Sequence, residues 1–165
     1  MRKLVVGLFL VLITGTVWAE EGIYHAEEAH HPNHVGLFLG VAHNGEAAAT
    51  DFAAGIDYEY ALAEPIGVGI FAERVFAEHA ETLIGIPISY TVHRLQLFVA
   101  PAVLFAEAPA GEATAEASSE QEFLVRVGAG YEFELAGASL TPKVNLDFVN
   151  GEMTLVPGLA VGIGF

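Results

Sequence analysis

The sequence contains no cysteine. Disulfide stapling, thiol catalysis and thiolate-ligated metal are excluded, and an exported form has to be stable without cross-links. Basic residues are scarce: 6 Lys and Arg stand against 21 Asp and Glu, a formal charge of −15. Affinity for nucleic acid is assembled from cations that displace counterions from phosphate, so a nucleic-acid partner is excluded. Long apolar runs are missing after the N-terminal one, and no later segment reaches ~18 consecutive apolar residues, which rules out a transmembrane helix there. Yet 53% of the residues are hydrophobic before any of the 18 glycines is counted. That exceeds the about 45–50% usual for soluble chains with Gly included.

The 165 residues suit one domain with a sizeable core. The chain opens MRKLVVGLFLVLITGTVWAEE, with Arg2 and Lys3 ahead of an apolar run from Leu4 to Val17 and the small-residue site Val17-Trp18-Ala19. This is the pattern of a secretory signal peptide over residues 1–19, too short for a comfortable helical span and cleaved after Ala19. Losing Arg2 and Lys3 but no acid takes the formal charge from −15 to −17. Residues 20–33 form a His/Glu-rich leader, and residues 34–165 carry the fold.

From His34 onward the polarity alternates with a period of two, the signature of strands with unlike faces. The expected strands are His34–His43, Phe52–Leu62, Ile66–Phe76, Leu83–Val92, Leu95–Ala106, Glu122–Leu135, Ala138–Val149 and the closing segment Gly158–Phe165. In that last segment Leu159, Val161, Ile163 and Phe165 share one face, and Gly158, Ala160, Gly162 and Gly164 the other. A soluble barrel of lipocalin type would turn large apolar residues inward and polar ones outward. Here Asp57, Glu59, Glu73, Arg126, Glu132, Glu134, Lys143 and Asp147 lie opposite the greasy face, so the apolar side is the outside and the solvent it meets is lipid. Strands of about ten residues match the ~9–11 that cross a bilayer at a tilt.

The connections agree. His93-Arg94, Ala136-Gly137 and Asn150-Gly151 each join strands whose inward positions switch parity, as a two-residue turn demands. Asn-Gly is in addition a strong hairpin signal, since a type I′ turn needs positive φ at both central residues. Short connections alternate with longer ones, up to EAPAGEATAEASSEQ. Phe52, Phe76, Phe105, Phe123 and Phe148 fall at the long-loop end, whereas Tyr58, Tyr60, Tyr90, Tyr131, Phe133 and Phe165 fall towards the short-turn end. These are two aromatic girdles, and the expected fold is all-β: an eight-stranded antiparallel up-and-down transmembrane β-barrel.

On these features the chain resembles the small OmpA/OmpX-type outer-membrane barrels of Gram-negative bacteria, over essentially all of residues 34–165. The resemblance implies an outer-membrane location in contact with lipid and lipopolysaccharide. It also implies insertion by the outer-membrane assembly machinery, which would read Val161, Ile163 and Phe165 as a terminal signal. It implies no activity.

Several side chains are candidates for chemistry. The Ala136-Gly137 hairpin pairs positions that sum to 273, which sets Arg126 opposite Asp147 and Lys143 opposite Gly130, diagonal to Glu132. Two cross-strand ion pairs are expected, with Asp57, Glu59 and Glu73 around the remaining volume and Phe38, Phe71 and Phe98 beside them. An interior of eight strands is just wide enough for its own side chains, so a structural polar plug is the first reading and a narrow ion or proton path the second. In the leader, His25, His30, His31 and His34 with Glu27 and Glu28 have the donor chemistry for Zn, Ni or Cu; a solvated tether is the plain alternative. No cofactor is required otherwise. His43, His79, Ser118 and Ser119 lie near the outer rim, but no recognised Ser/His spacing links them, and an enzyme is not expected. Arg74 faces outward near Phe76, placed either to fork onto lipopolysaccharide phosphate or to snorkel to the interface. A monomer is expected.

Overall fold

The computed structural model describes residues 32–45, 49–77, 80–106 and 120–165. They belong to the unit His31–Phe165, the second of two in the chain. The expected signal segment and the leader through His31, with His25, Glu27, Glu28 and His30, lie outside the described residues, as do His79, Ser118 and Ser119.

Eight antiparallel strands close on themselves. They are β1 (Asn33–Asn44), β2 (Ala49–Ala63), β3 (Ile66–Phe76), β4 (Glu81–Gly85, continued by Ile88–Val92), β5 (Leu95–Ala106), β6 (Glu120–Tyr131, continued by Phe133–Leu135), β7 (Ala138–Val149) and β8 (Glu152–Gly164). Each pairs with its neighbour in sequence, and β8 returns to β1 through pairs such as His34 with Gly164 and Phe38 with Ala160. Closure removes every edge, and in lipid it has to, because no water is there to satisfy an unpaired N–H or C=O. The transmembrane barrel expected from the alternation is the observed fold.

Turn chemistry sets the register. Asn150 and Gly151 have φ of 49° and 91°, and Ala136 and Gly137 have 51° and 90°, the left-handed pairs whose twist matches that of hairpin strands. The pairing Arg126 with Asp147 and Gly130 with Lys143 follows directly from the Ala136-Gly137 turn. Prolines mark two of the irregularities. β4 is interrupted at Ile86-Pro87, yet Gly69 N–H donates to Pro87 O at 2.9 Å and Ile86 N–H to Pro101 O at 3.1 Å, so the wall stays bonded. The β1–β8 ladder is interrupted between Gly40–Gly158 and His43–Leu155, where Pro157 brings no N–H.

Several strands begin earlier than expected, β2 and β8 by the most. β2 begins at Ala49 rather than Phe52, because Thr50 and Asp51 still pair with His43 and Ala42. β8 begins at Glu152 rather than Gly158, since the Asn150-Gly151 turn starts pairing at once, from Glu152 with Val149.

Side chains sort by parity. Leu37, Leu39, Ile56, Ile70, Ile88, Val161 and their like stand on the outside, 63% exposed at Leu37 and 60% at Ile56. Phe52 packs on Phe76 at 5.7 Å between ring centroids near the long-loop end, and Tyr131 on Phe133 at 5.0 Å near the short-turn end. Inward positions are small, charged or aromatic. Glycine is required there by close approach: a Cβ on Gly158 would run into the Phe38 ring, and one on Gly128 into Phe98.

Candidate functional site

The lumen is filled in layers. Towards the long-loop end the inward positions Val75, Leu83, Leu104 and Leu124 are apolar and buried, 1% exposed at Leu124. Beneath them Arg126 reaches from β6 across the barrel. Its Nε donates to Asp147 Oδ1 at 2.6 Å and its NH2 nitrogen to Asp147 Oδ2 at 2.8 Å, while NH1 and NH2 donate to Glu73 Oε2 at 2.9 Å and Oε1 at 2.7 Å. One guanidinium thus forks onto two carboxylates, one on the adjacent strand and one on the far wall, and its Cζ lies 4.9 Å from the centroid of the Phe71 ring. Arg126, Glu73 and Asp147 are 3%, 4% and 6% exposed. Desolvated charges at such depth are tolerable only when fully paired, and the two-sided fork supplies that.

The next layer holds Asp57, Glu59 and Lys143. Lys143 Nζ lies 3.6 Å from Asp57 Oδ1, on a strand three places round the barrel. Glu59 accepts from Ser89 Oγ at 2.9 Å and from Gln96 Nε2 at 2.8 Å. Between these groups and Arg126 is a cavity of about 50 Å³, lined in part by Lys143, Asp57, Glu59 and Asn145. Asn145 Oδ1 is buried there with no protein partner. Such a polar space is large enough for ordered water, which needs ~10–15 Å³ per molecule and two to four polar partners.

At the short-turn end His34 is held inside the barrel. Its Nε2 is 2.9 Å from Ser139 Oγ and its Nδ1 4.0 Å from Asp57 Oδ2. Of the six leader residues considered for metal, His34 alone is described, and it is a lumen residue. Among the described residues no cluster of three His, Cys, Asp or Glu is arranged to hold a metal ion. Glu132 stands where β6 is interrupted and donates its backbone N–H to Arg94 O at 2.8 Å, and Glu134 is exposed at the rim. Phe165 N–H and C=O pair with Asn33, at 2.9 and 3.2 Å, so the last residue completes the seam. His43 Nδ1 is 2.9 Å from Thr50 Oγ1. Arg74 is on the outer face, where an NH1 proton is donated to Thr82 Oγ1 at 3.2 Å and Cζ sits 6.0 Å from the Phe76 centroid.

Sequence reasoning did not single out Ser89, Gln96, Asn145, Ser139 or the apolar layer. Parity places all of them inward and so could have found them. The contacts across the lumen carry no such signal, because period and turn length fix neighbours on adjacent strands but not partners on opposite walls.

The closed antiparallel ring, the apolar exterior and the charged interior define a small eight-stranded β-barrel of the outer-membrane type. Among solved structures the chain is similar to the N-terminal β-barrel domain of Pseudomonas aeruginosa OprF (TM-score 0.62, 13% identity, covering 82% of this chain and 100% of that one). It is similar also to Ail of Yersinia pestis, solved with the heparin analogue sucrose octasulfate (0.55, 12%, 81% and 96%), and to Neisserial surface protein A (0.53, 14%, 81% and 96%). At these identities the likeness is one of fold. No family model and no curated protein sequence matches the chain.

Proposed function

We propose that this protein is a non-enzymatic integral protein of the Gram-negative outer membrane, exported by its N-terminal signal, with a structural or interaction role and a lumen closed to solutes. The observation that carries this reading is the Arg126 fork onto Glu73 and Asp147 beneath the Leu83, Leu104 and Leu124 layer. An eight-stranded wall leaves no aqueous channel once its side chains are placed. The Ser139–His34 contact at the short-turn end gives little support to a nucleophilic site. The 4.0 Å separation of His34 from Asp57 exceeds a hydrogen bond. Ser139 also lies between two paired strands, opposite Glu134 and Gly162, whose ladders take up the N–H groups an oxyanion hole would use. A metal-handling leader gains nothing from His34, whose Nε2 is already engaged with Ser139.

Partners follow from the surface. The outer wall takes lipid, Arg74 meets lipopolysaccharide phosphate, and the terminal strand with Val161, Ile163 and Phe165 is what the assembly machinery reads. Ail was solved with a polyanion; the Ala- and Glu-rich loops of this chain are unsuited to one. Planar-bilayer recording of the purified barrel tests the closed lumen. The expected record is free of stable, large openings, and their appearance would refute the plug.

A further inference from the structure

The polar cavity inside the barrel is lined by oxygens whose bonding is incomplete. Asn145 is 3% exposed, and its Oδ1 has no hydrogen-bond partner. Its strand neighbours supply none: Asn145 pairs with Gly128 on β6 and Val156 on β8, and neither carries a side-chain donor. Asp57 lines the same cavity. Lys143 Nζ at 3.6 Å and His34 Nδ1 at 4.0 Å attract its carboxylate but stand outside hydrogen-bond reach. Glu59 accepts from Ser89 and Gln96, and because both donors are neutral, those bonds leave its charge uncancelled.

Charge is out of balance as well. Around the cavity Asp57, Glu59, Glu73 and Asp147 set four negative charges against the two positive ones of Arg126 and Lys143, an excess of two that a protonated His34 would reduce to one. Water within the cavity of about 50 Å³ can satisfy lone pairs but cannot cancel charge. Charge held away from bulk solvent is tolerated when it is paired or bound to an ion. The apolar layer of Leu83, Leu104 and Leu124 shuts the long-loop side, so an ion arrives from the short-turn end, past the His34 side chain, which is 28% exposed.

We propose that the lumen binds one monovalent alkali cation, Na⁺, held by Asn145 Oδ1, the Asp57 carboxylate and water, with the uncancelled charge of Glu59 adding to the attraction. Carboxylate, amide and water oxygens are the donors that a hard cation takes. Among the described residues no three His, Cys, Asp or Glu converge as a protein cage for a divalent ion would need, which fits a partly hydrated ion of single charge. Lys143 does not take its place: its ammonium lies on the Asp57 side of the cavity, and Asn145 Oδ1 stays unpaired beside it.

The probe is Na⁺ itself. Urea unfolding of the full-length barrel in phosphatidylcholine vesicles is followed as NaCl is replaced stepwise by N-methylglucamine chloride, whose cation is too large for the cavity, at constant ionic strength. For a dissociation constant near 10 mM, the wild-type folding equilibrium constant should rise about tenfold between no Na⁺ and ~0.1 M, along a one-site curve. Asn145→Leu, which keeps the bulk and removes the acceptor, should abolish the response, with Asp57→Asn in its place should that variant not fold. Glu122→Gln alters a rim carboxylate outside the cavity and should leave the response intact, which separates binding from surface screening. Equal wild-type stability in the two salts would mean water alone and would overturn the proposal, as would a response kept by the lumen variant or lost in Glu122→Gln. The site lies in the lumen read above as closed; conductance tests the closure and Na⁺ dependence tests the site, so either can fail without the other.

Discussion

Arg126 shows how one residue holds a lumen together. Its five donors are arranged in a fixed plane, and four hydrogen bonds are drawn from them onto two carboxylates. Arg126→Met leaves Glu73 and Asp147 facing each other as buried, uncompensated anions, and the expected loss is about 3–5 kcal/mol, read from urea unfolding in lipid vesicles. Arg126→Lys is expected to fall well short of wild type in the same assay, because a point charge cannot fork onto both walls at once. Half of this cluster was legible in the sequence. The Asp147 contact follows from a turn and a parity rule; the Glu73 contact depends on how the closed barrel brings β3 against β6, and no local pattern encodes that. Lys143 teaches the same lesson. Its register opposite Gly130 was readable, its approach to Asp57 was not.

At the scale of elements, the hairpins carry the specification. Each strand is marginal alone, but a two-residue turn with left-handed backbone commits both flanking strands to a face. Ala136 is the weak point: its φ of 51° is one that an L-residue with a Cβ adopts at a cost of ~1–2 kcal/mol. Asn tolerates that conformation, so Ala136→Asn is expected to raise stability by roughly 0.5–1 kcal/mol, with a shift of the urea midpoint and no change of slope. Strand cores were readable because the alternation is uninterrupted. Strand ends were not, because Thr50, Asp51 and Glu152 are polar on a rim where polarity no longer tells strand from loop.

For the whole molecule, the two surfaces have exchanged their usual roles. The exterior is apolar across the girdled band, and the interior holds the charges, the reverse of a soluble barrel. The protein is therefore expected to need detergent or lipid to remain dispersed and to migrate faster unheated than boiled on a denaturing gel; a sample that is soluble without detergent and unaltered by boiling would contradict the transmembrane assignment. The acidic balance of the chain adds to this, since the rim side chains Asp51, Glu81 and Glu122 share one sign and disfavour close association of barrel mouths.

The seam between β1 and β8 carries a kinetic consequence. Every other pairing joins strands adjacent in sequence, whereas His34 meets Gly164 across nearly the entire described chain. Loop-closure entropy must be met before such a contact returns any energy, so hairpins form early and the ring shuts last. Taking the rate-limiting barrier to lie ahead of that closure, a substitution confined to the seam acts after it. Gly162→Val, whose side chain would strike the His34 ring and the Val35 carbonyl, is expected to speed unfolding several-fold while leaving the refolding rate in vesicles nearly unchanged. An equal weakening of the β6–β7 hairpin should instead slow refolding, which makes the order of assembly a measurable property of this barrel.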